Sequence, residues 1–110
     1  MKDREEPVYR FLSLAAKAGK VKGGAFLTEE AVKKGKAVLV LVAGDAAENT
    51  RKKIITLCES RSVPFCIFGE KERLGKSTGK EERSALAVLD PSFGDRINEM
   101  VRNETEVDNP

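Results

Sequence analysis

Apolar residues recur at three- and four-residue spacing from Val8 to Ala18, through Phe11, Leu12 and Ala15. That period gathers them on one face of a helix. Pro7 suits the first turn, where a missing N–H costs nothing, and Gly19 suits a C-terminal cap. Lys20-Val21-Lys22 reads as a short extended piece. Gly23-Gly24 then breaks the chain before a second helix, from Ala25 to about Lys34, which stops at Gly35. Beyond it the pattern changes. Ala37–Ala43 is apolar at every position and rich in valine, which predicts a strand buried on both faces.

Asp45-Ala46-Ala47-Glu48 has the acid-x-x-Glu form of a capping box, predicting a helix from there to about Arg61. Its apolar stripe runs through Ala47, Ile54 and Cys58, with Ile55 and Leu57 beside it. Ser62-Val63-Pro64 ends that helix, and Phe65–Phe68 predicts a second short strand. Ala85–Leu89 predicts a third, followed by Asp90-Pro91 and a last helix toward Val101. Alternating helices and strands predict one α/β domain over residues 1–102, with a mixed sheet between helical layers. Residues 103–110 lack apolar periodicity and read as a flexible acidic tail.

Composition narrows the chemistry. The 110 residues contain no histidine and only Cys58 and Cys66, which excludes histidine acid–base catalysis and a zinc site of the usual ligands within the chain. Neither a metal nor a cofactor is expected. Both cysteines fall at apolar positions and read as small buried hydrophobes. The longest apolar run is seven residues, far short of the ~20 a membrane span needs. The charged first residues offer no secretory signal, so a cytoplasmic, reducing compartment and no membrane partner are expected.

Charge changes the picture more than its net value of +2. Residues 7–94 carry sixteen bases against ten acids, a net of +6, while both ends are acidic. The bases cluster at Lys17, Lys20 and Lys22, and again at Lys71, Arg73, Lys76, Lys80 and Arg83. A basic body of this kind points to a polyanion partner, although a lysine-rich solvated face has the same composition.

Gly69–Ser77 has the outline of a phosphate-binding P-loop but not its spacing. Five residues separate Gly69 from Gly75, Leu74 stands where glycine is needed, and Glu70 and Glu72 would repel phosphate. Nucleotide hydrolysis is therefore not expected. Asp45 and Glu48 are explained by capping and need no catalytic role. Phe26 is harder to place. Thr28, Ala31 and Val32 share one helical face, and Phe26 points the other way with Glu29, Glu30 and Lys33. It either stands exposed at a helix start, where it could stack on an unpaired base, or folds back onto the first helix.

The run Ala15-Ala16-Lys17-Ala18-Gly19-Lys20-Val21, then Gly24, then Ala31–Val40, resembles the kink-turn-binding ribosomal proteins of the L-seven-Ae family. The likeness continues through Ala43–Ala46, Asn49–Lys53, Val63-Pro64-Phe65, Leu74-Gly75-Lys76 and Gly79-Lys80, and is greatest to the small bacterial YlxQ-like branch. The resemblance implies a three-layer α/β/α sandwich with a mixed, mostly four-stranded sheet. It also implies binding of structured RNA, ribosomal or ribosome-associated. The residues point to a non-enzymatic protein, and a monomer is the default, with a weak dimer through Phe26-Leu27 the alternative. Its site would be the start of the second helix and two neighbouring loops.

Family members carry Gly-x-Asn-Glu-x-x-Lys there, reading sheared guanine–adenine pairs. Gly24 matches the glycine, but Phe26 stands at the asparagine, Leu27 at the glutamate and Glu30 at the lysine. Phenylalanine and leucine cannot hydrogen-bond base edges, so an altered readout is expected. Lys20, Lys22, Lys76 and Lys80, with backbone amides near Gly23 and Gly24, are the expected phosphate contacts, and Phe26 the stacking contact. The alternative is a protein-interaction adaptor that kept the fold and lost the RNA site, with Phe26-Leu27 as its apolar contact.

Overall fold

The computed structural model describes residues 3–79 and 81–106, with side chains through Asn103. Five helices and four strands alternate: α1 (Glu6–Lys17), β1 (Val21–Gly23), α2 (Ala25–Lys33), β2 (Leu39–Val42), α3 (Glu48–Ser60), β3 (Phe65–Ile67), α4 (Lys71–Ser77), β4 (Ala85–Val88) and α5 (Pro91–Glu106). The strand order is β1-β4-β2-β3. β4 is antiparallel to both β1 and β2, whereas β2 and β3 are parallel, so the sheet is mixed. β2 and β4 occupy the centre, and all of their residues are buried, as a strand covered on both faces requires. The extended piece at Lys20–Lys22 becomes the edge strand β1, in register Val21↔Val88.

Helices supply the two covers. α1 packs on α4 and α5, and α2 packs on α3, giving the expected three-layer sandwich. α1 buries Val8, Tyr9, Leu12 and Ala15, and α2 buries Thr28, Ala31 and Val32. Leu12, Leu41, Ile54, Leu74, Leu86 and Ile97 are at most 1% exposed. Burying each contributes about 1.5–3 kcal/mol. Both α1 and α2 close with paired backbone bonds: Lys20 N–H to Ala15 O (2.9 Å) with Gly19 N–H to Ala16 O (3.0 Å), and Lys36 N–H to Ala31 O (2.9 Å) with Gly35 N–H to Val32 O (3.1 Å). Gly19 and Gly35 take the left-handed conformation this closure demands.

Three details depart from the sequence reading. Asp45 does not cap α3. A turn with Ala46 N–H bonded to Ala43 O delays that helix to Glu48, so its N-cap is Ala47, with no side-chain hydrogen bond. The Asp45 carboxylate instead accepts the N–H of Lys71 (2.8 Å), the first residue of α4. The quasi-P-loop is a bend at Gly69 followed by helix α4: Gly75 lies inside α4 and is buried. α5 passes the expected boundary at residue 102 and continues to Glu106, and the last four residues of the expected tail lie outside the described residues. At its start Asp90 does cap, accepting the Phe93 N–H at 3.1 Å.

Candidate functional site

Strand directions decide which loops meet. β1, β2 and β3 run one way and β4 the other. The β1–α2 junction, the loops after β2 and β3, and the loop before β4 therefore share one end of the sheet. Backbone bonds knit them: Gly24 N–H to Ala85 O (2.8 Å), Ala43 N–H to Ser84 O (2.9 Å), Gly44 N–H to Gly69 O (2.8 Å) and Arg83 N–H to Lys71 O (3.1 Å). The Tyr9 hydroxyl accepts the N–H of Glu70 (3.1 Å), so α4 is held at its start by Tyr9 from α1 and by Asp45.

At this end, beside the edge strand β1, α2 begins without a side-chain cap. Its N-cap is Gly24, at φ 101° and ψ 155°, with no side-chain cap bond and no acid in the first turn. The first intrahelical bond is Thr28 N–H to Gly24 O, so the amides before it have no partner within the helix. Phe26 is 74% exposed and Leu27 40% exposed. Phe26 therefore stands out from the helix start and does not fold back onto α1. Arg83 lies across the two glycines. A Cβ on Gly23 would come 3.3 Å from its Nε, which is buried and has no hydrogen-bond partner. A guanidinium beside the positive end of an uncapped helix concentrates positive potential there.

A groove of about 230 Å³ opens here, lined by Ala16, Val21, Lys22, Gly23, Leu27, Thr78 and Arg83. It brings together three of the expected contacts, Lys22, Gly23 and Leu27, with Gly24 and Phe26 adjoining along the chain. Glu30 lies farther down α2, 3.7 Å from Lys34 Nζ. Lys20 precedes β1 at the opposite end, where its carbonyl accepts the Leu89 N–H (2.9 Å). Lys76 lines a separate groove between α1 and α4, with Arg10, Ser13 and Arg73. Lys80 lies outside the described residues.

The second basic cluster therefore divides: Arg73 and Lys76 share the groove against α1, whereas Arg83 lies elsewhere. Arg73 faces α1, where Asp3 (2.8 Å), Glu6 (2.9 Å) and Glu5 (3.8 Å) surround it, and it stacks 4.1 Å from the Tyr9 ring centre. Arg83 faces the glycines of the β1–α2 junction. Charge counting does not separate these two arginines. The usable signal is position: Arg83 stands just before the β4 strand, in the loop that returns to Gly24.

The remaining reactive side chains are quiet. Burial pushes the thiols of Cys58 and Cys66 up to about 11. Among the described residues no three His, Cys, Asp or Glu side chains group as metal ligands, and no helix is long and apolar enough to cross a membrane.

A family profile described as "Ribosomal protein L7Ae/L30e/S12e/Gadd45 family" matches residues 6–97. The RNA-binding protein YlxQ of Bacillus subtilis is 36% identical over 89 residues, covering 81% of this chain and 89% of that protein. A solved Bacillus halodurans protein of unknown function has a TM-score of 0.82 at 30% identity, covering 86% of this chain and 96% of that one. The Giardia lamblia 15.5kD RNA binding protein has the same fold, with a TM-score of 0.75 at 22% identity, covering 97% and 92%.

Proposed function

The chain belongs to the ribosomal protein L7Ae/L30e/S12e/Gadd45 family, and from that premise we propose that it is a non-enzymatic protein that binds structured RNA at the β1–α2 end of its sheet. The observation that carries this reading is the pairing of an exposed Phe26 with an uncapped helix start flanked by Arg83. A phosphate placed at the amides of α2 would satisfy both the helix end and the guanidinium. Phe26 would stack on an unpaired base beside it, a contact available to any base because every base has a flat apolar face.

Readout in this reading differs from that of relatives with the asparagine–glutamate pair. Shape, phosphate position and stacking carry recognition, and hydrogen bonds to base edges contribute little at Phe26 and Leu27. The RNA is a bent segment of ribosomal or ribosome-associated RNA, bound by a monomer in the cytoplasm. Lys22 adds phosphate attraction at the groove rim.

The test is a titration of a labelled hairpin carrying a bulge flanked by tandem guanine–adenine pairs, against a fully paired hairpin, at several salt concentrations. The expected result is tighter binding of the bulged hairpin, with affinity falling linearly as salt rises on logarithmic axes. Absence of binding to either hairpin at low salt would refute the reading. It would favour the adaptor, in which Phe26-Leu27 meets a protein.

A further inference from the structure

A second concavity, of about 160 Å³, lies on the flank of α2 away from the loops. Its floor is apolar, from Leu27, Ala31 and Leu89, and its rim is Lys22, Lys34 and Lys36, with Glu30 the acid among them. It neighbours the groove beside Arg83, and Lys22 and Leu27 line both. The other acid of α2 at this level, Glu29, turns to α3 and pairs with Lys53 at 3.5 Å. Among the described residues of α2, Glu30 alone is left facing the lysines, and its 3.7 Å approach to Lys34 engages just one of them.

We propose that this flank is a second RNA contact, a lysine track that holds the phosphate backbone of the helical stem leading away from the Phe26 site. The proposal rests on the RNA-binding reading and adds a partner segment to it. The lysines stand beside α2, whose nine residues at ~1.5 Å rise span about 13 Å, long enough to follow a strand past several charges but too short to bind duplex tightly alone. Lysine suits the task. Flexible point charges follow a backbone without demanding a fixed geometry, whereas the planar Arg83 sits where one phosphate would be held in place. The track therefore contributes salt-dependent affinity and little sequence preference. Lys22 and Leu27, shared with the Arg83 groove, put the track next to the Phe26 site.

The experiment compares the bulged hairpin with a short stem and with a long stem, against wild type, Phe26→Ala and the triple variant Lys22→Gln/Lys34→Gln/Lys36→Gln. Circular dichroism confirms that each variant is folded. The expected outcome is tighter binding of the long-stem RNA by the wild type. That advantage should disappear in the triple variant, with the salt slope reduced by about two to three, roughly one for each phosphate no longer neutralised. Phe26→Ala should weaken both RNAs equally and leave the slope unchanged. If the triple variant keeps the long-stem advantage and the slope while Phe26→Ala still weakens binding, the track is refuted and the Phe26 site stands. If wild type binds neither RNA, both fall together. A wild type that binds both stems equally also refutes the track.

Discussion

The carbonyl oxygen of Glu81 occupies the space in which a side chain at Gly75 would begin. The loop after α4 folds back over that helix and lies against it at the glycine, and the same loop carries Arg83 to the start of α2. Gly75→Ala therefore sets two effects against each other. Alanine improves helix propensity by about 1 kcal/mol, while forcing the backbone apart in a packed site costs about 1–3 kcal/mol. The intruding atom is backbone and cannot rotate aside, so the cost wins. We expect lower stability in urea titration together with weaker RNA binding, as the loop and Arg83 move. A variant that binds RNA as well as wild type would show that Arg83 placement does not depend on this contact.

Phe26 gives the opposite signature. Its ring is 74% exposed, so removing it takes little from the core. Phe26→Ala should change stability by less than about 0.5 kcal/mol. If the ring stacks on a base, affinity should fall by the ~1–3 kcal/mol typical of such contacts, roughly fivefold to hundredfold. Paired urea and binding titrations separate the two quantities. Unchanged affinity would remove Phe26 from the site.

What the sequence made legible follows from how local each signal is. The buried strands announced themselves because every position from Leu39 to Val42 is apolar, and the helix ends because Gly19 and Gly35 sit where a left-handed residue is needed. Asp45 misled because its local pattern is that of a cap, whereas its partner is Lys71, 26 residues away. Arg73 and Arg83 are ten residues apart and chemically identical, yet one is surrounded by Asp3, Glu5 and Glu6 and the other by glycines. That distinction is set by tertiary neighbours, which periodicity does not encode. Phe26 was legible as an anomaly on its helix, and only packing decided that it faces outward.

Glu30 is the acid on an otherwise basic flank. Glu30→Lys removes the pair with Lys34, which is exposed and worth a few tenths of a kcal/mol at most. In return it gives the track one more cation and no facing acid. RNA affinity should rise and the salt slope should steepen by about one. Weaker binding in the lysine variant would mean that Glu30 itself makes a favourable contact, such as accepting a hydrogen bond from a base or sugar.

The thiols offer a test of packing. With both pushed up to about 11, the thiolate fraction near neutral pH is about a hundredfold below that of a free cysteine. Maleimide or disulfide-exchange labelling of the native protein should be slow at Cys58 and Cys66, and should become fast on addition of denaturant. Rapid native labelling of Cys66, the less buried of the two, would show that β3 opens readily at its edge.

The clasp between the N-terminal acids and α4 predicts a pH dependence with a definite sign. The hydrogen bond from Arg73 holds the Asp3 carboxyl below its ordinary value, against the opposing effect of partial desolvation. A group depressed in the folded state contributes its stability fully above its unfolded pKa, and loses it as pH falls through the folded one. The wild type should therefore exceed Arg73→Gln in stability at neutral pH, and the gap should narrow as pH falls through and below the ordinary carboxylate range. Asp3 is exposed, so its share is small and screened by salt, and the narrowing should be weaker in high salt. Arg73 also stacks on Tyr9, an interaction that does not titrate in this range. Urea midpoints for both proteins across acid pH distinguish the two contributions. A gap that narrows assigns the clasp to the ion pairs, whereas a gap constant with pH would assign it to stacking and overturn the electrostatic account.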